Sequence, residues 1–297
     1  MKSSFLKHPK YLILRLSERG LFPISDKNYL KLRYKEVFNR ELNLDDPVTF
    51  NEKLQWLKLY DRNPSYTDLV DKYEVKKIIE EKIGKEYVIP TIGIYNRFDE
   101  IDFDKLPDKF VIKCTHDSGG LIVCRDKNKL DLDQVKKTIN KHLRHNFYYN
   151  GREWPYKNVR PRIMIEKYMQ DKNKKELVDY KFYCFNGEPK FLYVSEGLEN
   201  HETAKIGFFD MNFKKCSFKR NDYRSFECPP KKPENFSEMV KIAKELSKGL
   251  KFVRVDLYSI NNNVYFGELT FTPNAGLMIF DPPSWDEKIG KMMSLKD

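Results

Sequence analysis

Two apolar stretches near the carboxyl end restrict the folds open to this chain most strongly. Residues 252–260 and 264–271 are rich in β-branched and aromatic side chains, and three asparagines at 261–263 separate them. Asparagine tolerates left-handed backbone, so the pattern predicts an antiparallel hairpin. With a loop of residues 261–263, apolar residues face apolar residues on one side of the hairpin. A shift of one residue would mix the two faces, so the apolar pattern itself selects this register.

The same register places two carboxylates opposite each other on the second face. Asp256 faces Glu268, and Arg254 faces Thr270. Carboxylates in such a pair have Cβ atoms about 5 Å apart and repel each other unless a cation lies between them. Hard oxygen ligands without nearby His or Cys suit Mg²⁺, which usually shares its site with substrate phosphates. We therefore predict a magnesium site and a nucleoside triphosphate; the alternative is a solvated pair that Arg254 neutralises.

The net charge of +11 predicts an anionic partner for this 297-residue chain. Its length indicates about two domains, and 40% apolar residues with 14% aromatic ones indicate a globular protein. Basic and acidic residues alternate along the chain, without the block of like charge that is typical of a nucleic-acid-binding tail. Small anions or an acidic glycan are therefore favoured over nucleic acid.

The cysteine pattern favours a reducing compartment. The five cysteines include no C-x-x-C pair, and an odd number does not suit a disulfide framework. The apolar run 11–16 contains Arg15 and is too short to cross a bilayer or to serve as a signal peptide core. We expect a soluble cytoplasmic protein. A peripheral association of residues 1–20 with the inner face of a membrane stays open.

A glycine-containing loop between two predicted strands is suited to phosphate. Residues 110–113 and 121–124 predict the paired strands, and Lys113 ends the first of them. The hydroxyl and glycine residues of the loop are Thr115, Ser118, Gly119 and Gly120. Backbone N–H groups of such a loop can fold over phosphate oxygens. An ordinary hairpin with a Gly-Gly turn is an equally good interpretation of this segment alone.

A second hairpin follows a strand that ends in a carboxylate. The strand 162–166 ends at Glu166, and Lys167 continues into the kind of exposed edge that an adenine can hydrogen-bond. Asn186-Gly187 then predicts a two-residue turn. The predicted pairs on its core face are Phe182 with Phe191 and Tyr180 with Tyr193, with Lys181 and Asp179 on the opposite face. Pro189 predicts that this hairpin lies at a sheet edge.

Apolar residues at helical spacing predict helices over 66–84, 131–145 and 235–250, and short helices within 1–62. Ser284 and Glu287 predict a capping box at the start of a last helix.

The polar and aromatic loop 146–162 is the predicted recognition segment for a carboxylate substrate. Its candidate residues are Arg152, Trp154, Tyr156, Arg160 and Arg162. Guanidinium groups pair bidentately with carboxylates, and an aromatic ring can stack on the apolar face of a sugar. A solvated surface run, or contacts to phosphate, are the alternatives.

Six segments together identify a family resemblance. They are Phe50–Trp56, Lys113–Gly120, Ile165–Tyr168, Asp179–Gly187, Arg254–Asp256 and Gly267–Phe271. In these segments the sequence resembles the TupA-like branch of the ATP-grasp superfamily, which is associated with teichuronopeptide and capsular polysaccharide biosynthesis. The resemblance implies an α+β ATP-grasp fold in which two α+β subdomains hold ATP. We expect an N-terminal helical region at 1–65, the Gly-rich loop subdomain at 66–168 and the large subdomain at 169–297.

The resemblance implies an ATP-dependent carboxylate–amine ligase that forms an amide through an acylphosphate. The residues implied to bind ATP are Lys113, Thr115, Ser118, Gly119, Gly120, Glu166, Lys167 and Lys181, with Glu166 and Lys167 at the adenine edge. Arg254 and Lys181 would act at the transferring phosphoryl group. Asp256 and Glu268 would bind Mg²⁺. Many relatives have Asn where Thr270 stands, so the third protein ligand is either Thr270 or Asn274.

The implied substrates are a uronic-acid sugar or acidic polysaccharide and an amino acid or other amine. Two other functions remain open: a capsule-biosynthesis glycosyltransferase that uses a sugar nucleotide, and a non-catalytic polyanion-binding protein. In the hairpin, Arg254-Val255-Asp256 does not supply the Asp-x-Asp metal motif of many such transferases. Polyanion binding explains the charge of the chain but leaves the Asp256–Glu268 pair unexplained.

Overall fold

The computed structural model describes residues 9–172, 176–198 and 202–296, without the side chains of residues 9–11. The helices are α1 (Pro9–Glu18), α2 (Asp26–Phe38), α3 (Phe50–Tyr60), α4 (Tyr66–Val70), α5 (Glu74–Ile83), α6 (Leu132–Leu143), α7 (Tyr148–Gly151), α8 (Phe236–Ser247) and α9 (Trp285–Gly290). The strands are β1 (Thr91–Tyr95), β2 (Phe110–Cys114), β3 (Leu121–Cys124), β4 (Ile163–Lys167), β5 (Asp179–Phe185), β6 (Glu188–Glu196), β7 (Lys205–Asp210), β8 (Lys219–Arg220), β9 (Arg224–Ser225), β10 (Phe252–Ile260), β11 (Asn263–Thr270) and β12 (Phe280–Asp281).

The strands form three sheets. A four-stranded sheet, here the small sheet, has the order β1-β4-β2-β3. A six-stranded sheet, here the large sheet, has the order β11-β10-β5-β6-β7-β9, and β12 pairs with β8. Helices pack on sheets that are largely antiparallel, which makes this an α+β protein, as predicted. Among the described residues, no helix has the length and apolar character needed to cross a membrane.

The β10–β11 hairpin has the predicted pairing at its functional end and a different turn. Asp256 pairs with Glu268 and Arg254 with Thr270, which confirms that part of the register. The turn has two residues, Asn261 and Asn262, both at positive φ (51° and 63°), and the predicted three-residue loop is wrong. The turn is one residue shorter than predicted, and the bulge at Gly267 adds one unpaired residue to β11, so Asp256 still pairs with Glu268. A Cβ at Gly267 would lie 3.0 Å from the carbonyl oxygen of Asp256, so glycine fits this close approach.

The β5–β6 hairpin corrects two predictions. Phe182 pairs with Leu192, one residue away from the predicted partner, because a bulge at Lys190 follows the Asn186-Gly187 turn. The hairpin also lies in the middle of the large sheet, not at an edge. Pro189 is tolerated there because the ladder between β6 and β7 begins only at Phe191, so the missing N–H of proline is not needed.

The large sheet is covered on both faces. Helices α5 and α8 pack on one face, where Phe182, Val253 and Val255 are buried. Helices α3 and α9 cover the apolar part of the opposite face, which includes Phe252. Side chains alternate along a strand, so Arg254 extends from the same face as Phe252. This face is therefore apolar beneath α3 and charged farther along β10.

Helix α3 fastens the loop that follows β11. A reciprocal capping box between Thr49 and Glu52 begins the helix. The buried side chain of Asn51 donates to the carbonyl oxygen of Met278 at 2.8 Å and accepts from the backbone N–H of Met278 at 2.8 Å. Gln55 donates to the carbonyl oxygen of Gly276 at 2.6 Å. The segment Phe50–Trp56 therefore holds the 273–278 loop in place.

The remaining helices refine the predicted boundaries. The predicted helix 66–84 is broken because the Asp71 carboxylate accepts from the N–H groups of Tyr73 and Glu74 and caps a new helix, α5. Helix α5 packs into the core of the large sheet.

The predicted capping box at Ser284 is wrong, since Ser284 has helical backbone (φ −60°, ψ −16°) and makes no side-chain cap bond. The predicted membrane association concerns residues 1–20, of which 1–8 lie outside the described residues.

Candidate active site

Two adjoining cavities of about 300 Å³ each lie in the cleft between the small and the large sheet. They share Lys113, Glu166 and Tyr258 in their walls. One, the apolar cavity, has an apolar wall that includes Val111, Val123 and Met169, and charged residues such as Arg125, Lys167 and Glu176 also line it. The other, the polar cavity, is lined by four lysines and four carboxylates: Lys72, Lys76, Lys113, Lys181, Asp117, Glu166, Asp256 and Glu268. The apolar wall is suited to a ring, and the charged cavity beside it is suited to the charged end of the same ligand.

Arg254 lies between the paired carboxylates of the hairpin. Its Nε donates to Asp256 Oδ1 at 2.6 Å and its Nη2 to Asp256 Oδ2 at 2.6 Å. The same Nη2 donates to Glu268 Oε1 at 3.1 Å and to Thr270 Oγ1 at 2.9 Å. Asp256 is 1% exposed. The alternative of a solvated pair is therefore wrong for Asp256, whereas the Glu268 side chain is 40% exposed. Arg254 is the neutralising neighbour that this alternative requires.

A second buried cation completes this network. Lys181 Nζ donates to Asp256 Oδ2 at 2.9 Å and to Asp179 Oδ1 at 2.9 Å. Burial raises the pKa of Asp256, and the charges of Arg254 and Lys181 oppose that rise. Burial would also raise the pKa of Glu268, but Arg254 and Lys72 outweigh it and lower that pKa to about 2. Glu268 is therefore ionised at neutral pH, and its side chain is 40% exposed toward the cleft.

The residues at this position fit a magnesium ion by the chemistry of their donors. Asp256 and Glu268 supply carboxylate oxygens, and Thr270 Oγ1 donates to Glu268 Oε1 at 3.2 Å. No group of three or more His, Cys, Asp or Glu residues within the described ranges could by itself hold a metal. Two carboxylates are what Mg²⁺ uses when phosphates complete its coordination. The equal numbers of lysines and carboxylates in the polar cavity also mean that a triphosphate would need an additional cation.

Lys113 lies in the cleft as predicted, and its partner is Glu166. Lys113 Nζ and Glu166 Oε2 are 2.5 Å apart, and Lys76 forms an ion pair with the other oxygen of Glu166. Burial would raise the pKa of Glu166, and the two lysines lower it below its ordinary value. Glu166 therefore serves as a buried counter-ion that positions two lysines. It also lines the apolar cavity, and its implied place at the adenine edge stays a prediction.

The Gly-rich loop is braced by Asp117. Asp117 Oδ1 accepts from the N–H groups of Gly119 at 3.2 Å and Gly120 at 2.9 Å, and Asp117 Oδ2 lies 2.5 Å from Nδ1 of His142. In this structure the two glycine N–H groups thus bond within the loop. A Cβ at Gly120 would lie 2.6 Å from Cys114 Sγ, which explains the glycine by packing.

The other predicted nucleotide-binding residues divide into two groups. Ser118 lines the polar cavity and Lys167 lines the apolar cavity, where it precedes Tyr168 and Met169. Thr115 is fully buried, and its hydroxyl donates to the carbonyl oxygen of Arg160 at 3.2 Å. Thr115 therefore connects the end of β2 to the segment before β4 and does not line either cavity.

The structure does not bring the predicted recognition residues Arg152, Trp154 and Arg160 into the cleft. Arg152 is 3% exposed, and its guanidinium lies 4.3 Å from the ring centre of Tyr29. It donates to the carbonyl oxygen of Tyr149 at 2.9 Å and to the hydroxyl of Ser17. Arg160 bonds the side chain of Asn96 at the surface. Trp154 is half-buried and lines neither cavity. The placement of Arg152 corrects its predicted role to a structural one.

Replacing Arg152 with alanine is expected to destabilise the fold by about 3 kcal/mol, because it removes a buried, hydrogen-bonded cation from between packed helices. Urea denaturation would measure this loss, and calorimetric titration should give an unchanged ADP affinity. Arg160→Ala is the matched control and should leave both quantities near wild type. A stable Arg152→Ala protein with a raised KM for a carboxylate would restore the recognition role.

Sequence reasoning missed several residues of the cleft. Lys72 and Lys76 lie on or next to α5, which was interpreted only as a packing helix. Glu153 is buried, and it accepts from the hydroxyl of Thr272. Burial raises the pKa of Glu153, while Lys58 lowers it. Within the predicted helix 66–84, the spacing of four residues between Lys72 and Lys76, away from the apolar stripe, was the available indication.

Comparison with known proteins finds one family. The description of the matching family model is TupA-like ATPgrasp, and it matches residues 52–294. No curated protein matches the sequence.

Among solved structures, D-alanine–D-alanine ligase from Bacillus anthracis is 21% identical over 68% of this chain and 57% of its own, with a TM-score of 0.39. The same enzyme from Helicobacter pylori is 16% identical over 82% and 69%, with a TM-score of 0.44. The ATP-grasp ligase PsnB with minimal precursor is 11% identical over 75% and 60%, with a TM-score of 0.40. The chain thus spans less than two thirds of two of these three structures.

Proposed function

Because this chain belongs to the TupA-like ATP-grasp family, whose model matches residues 52–294, we propose that it is an ATP-dependent carboxylate–amine ligase. Family membership confirms the resemblance drawn from the sequence segments and supports an ATP-dependent ligase in general. The observation that supports the proposal most strongly is the polar cavity. There the Lys113–Glu166–Lys76 cluster faces the Asp256–Glu268 pair across the cleft.

In the proposed complex, the adenine occupies the apolar cavity beside the backbone of residues 167–169, and the triphosphate extends into the polar cavity. Lys76 and Lys113 then exchange part of their interaction with Glu166 for phosphate oxygens. Lys72 lies on the same side, where its Nζ donates to the carbonyl oxygen of Asp117 at the loop. Ammonium groups held by a buried counter-ion lose little side-chain entropy when phosphate binds, which favours a preorganised site.

The proposed reaction has two steps. A carboxylate oxygen of the first substrate attacks the γ-phosphorus, and the bond to the β–γ bridging oxygen breaks and releases ADP. The amine nitrogen of the second substrate then attacks the acyl carbon, and phosphate leaves with the electron pair of the C–O bond as the amine loses a proton. Arg254 and Lys181 would stabilise charge on the transferring phosphoryl group. Mg²⁺ at Asp256 and Glu268 would neutralise phosphate charge.

The proposed carboxylate is that of a uronic-acid sugar in a cell-surface polysaccharide or its precursor, and the proposed amine is an amino acid. The support for these substrates is what the sequence resemblance to the TupA-like branch implies and the net charge of +11, which favours an acidic substrate. We place the reaction in the cytoplasm as part of the same proposal.

ADP release by the purified protein tests the proposal. Uronic acids and amino acids would be supplied singly and in pairs with ATP and Mg²⁺, and ADP and phosphate would be quantified together. We expect equal amounts of ADP and phosphate only when both substrates are present. Release of a nucleoside diphosphate from a sugar-nucleotide donor, without any ATP dependence, would instead identify a glycosyltransferase and overturn the proposal.

A further inference from the structure

A third cavity of about 200 Å³ lies beside the cleft, between the N-terminal helices and the loop that follows β11. Its polar lining side chains are Tyr29, Arg33, Gln55, Lys58, Asn150 and Asn274. We propose that this cavity, here the side cavity, binds the carboxylate group of the amino-acid substrate, which reacts through its amine. The inference rests on the proposed ligase function and assigns one substrate to a place in the molecule.

The charges of the side cavity select an anion. Arg33 and Lys58 line it, and its described lining residues include no aspartate or glutamate. Arg33 Nη1 bonds Glu36, and a guanidinium has five N–H donors in all, so Arg33 has donors left for a ligand. An arginine with donors available and no carboxylate in the cavity wall is suited to bidentate binding of a carboxylate.

Lys58 contributes a positive charge that the nearby buried Glu153 partly offsets, and it makes the cavity wall rigid. Its Nζ donates to Gln55 Oε1 at 3.1 Å and to the carbonyl oxygens of Gly151 at 2.8 Å and Ala275 at 2.7 Å. These three bonds use all the donors of an ammonium group. Burial lowers the pKa of Lys58 to about 8, so the group is largely protonated at pH 7. Lys58 thus connects the cavity wall at Gly151 with the wall at Ala275.

The side cavity adjoins the catalytic network. Its walls Asn274 and Ala275 follow Thr270 and Thr272 on the chain, and Thr272 donates to the buried carboxylate of Glu153. Glu153 lies close enough to Lys58 on one side, and to Arg254 on the other, for both charges to lower its pKa. The buried Glu153 thus connects Lys58 in the wall of the side cavity with Arg254 of the hairpin.

The size of the side cavity restricts the ligand. A volume of about 200 Å³ lies below the range of roughly 300–1,000 Å³ that holds drug-sized molecules. An amino acid or a single sugar acid fits this space, and a polymer chain would have to end there. Helix α2 supplies Tyr29 and Arg33, and both precede residue 52, where the family match begins. The recognition wall thus lies outside the part of the chain that the family model describes.

Titration of ADP-bound protein with glycine, glucuronate and acetate tests the assignment without turnover. We expect glycine to bind with Arg33 intact and to lose about tenfold or more in affinity in Arg33→Met, while any binding of glucuronate stays the same in both proteins. Lys31→Met, an exposed lysine on the same helix, is the matched control and should bind like the wild type. An unchanged ADP affinity would show that each variant is folded, and Arg33→Gln provides a second variant if Arg33→Met fails that check.

The turnover assay shows which substrate uses the side cavity. A raised KM for the amino acid in Arg33→Met, with an unchanged KM for the uronic acid, supports the proposal. A raised KM for the uronic acid alone would overturn it, because the carboxylate of that substrate must reach the γ-phosphate. Equal binding and equal KM values in Arg33→Met and wild type would overturn it while the ligase function stands. Acetate that binds both proteins as tightly as the other probes would likewise overturn it, as would a lack of binding by every probe. Failure of the ligase function itself would be visible as absent ADP release in the wild type.

Discussion

Glu268→Gln is expected to abolish ATP-dependent turnover while leaving the protein nearly as stable as the wild type. The side chain is 40% exposed toward the cleft, and glutamine can still accept the bonds from Arg254 and Thr270. We expect a stability change of at most about 1 kcal/mol, because partly exposed charge pairs contribute little. Loss of a charged oxygen at the metal position should lower kcat by about a hundredfold or more.

Asp256→Asn, unlike Glu268→Gln, is expected to reduce both turnover and stability. Asp256 is 1% exposed and accepts from both Arg254 and Lys181, so its neutralisation leaves two buried cations with less compensation. We expect loss of turnover together with a loss of about 3–5 kcal/mol in unfolding free energy. Urea denaturation and coupled ADP detection would measure the two effects. If both variants kept near-normal turnover, the carboxylate pair would be a structural ion-pair network without a role in catalysis.

Lys113→Ala is expected to weaken ATP binding by about tenfold or more, since a charge-assisted bond to phosphate is lost. It should also reduce stability, because the buried Glu166 then keeps only Lys76 as a partner. These two effects can be separated. The double variant Lys113→Met, Glu166→Gln also removes the buried carboxylate, and Lys76 keeps its bonds to the carbonyl oxygen of Ile89 and to Thr91. Stability should therefore recover in part while ATP binding stays weak.

Lys137→Ala, an exposed lysine on α6, is the control for loss of a positive charge and should leave ATP affinity unchanged. Calorimetric titration with a non-hydrolysable ATP analogue would measure every variant. Full recovery of ATP affinity in the double variant would show that Lys113 acts only through Glu166, and it would remove Lys113 from the nucleotide site.

The charged face of the hairpin could be predicted from the sequence because period-two alternation determines which side chains share a face. Asp256, Glu268 and Arg254 were placed together for that reason. The turn was predicted wrongly because a two-residue turn with a bulge at Gly267 and a three-residue loop without one give the same pairing at Asp256. An apolar pattern cannot distinguish these two arrangements.

The parts of the site that depend on tertiary packing could not be predicted. Lys76 and Glu166 are 90 residues apart in the chain, and only the packing of α5 against the cleft makes them an ion pair. Arg152 was assigned to recognition because arginine in a polar loop usually lies at the surface. Helices α1 and α2 bury it, and no local pattern around residue 152 indicates that cover.

The most direct test of the central claim follows one oxygen atom. The carboxylate substrate that supports ADP release would be labelled with ¹⁸O in its carboxyl group, and the phosphate product would be analysed by mass spectrometry. Activation through an acylphosphate transfers one carboxylate oxygen to each phosphate, so we predict one ¹⁸O atom per phosphate and one ADP released. Phosphate without ¹⁸O would show that water or another group attacked ATP, and it would contradict carboxylate activation by this protein.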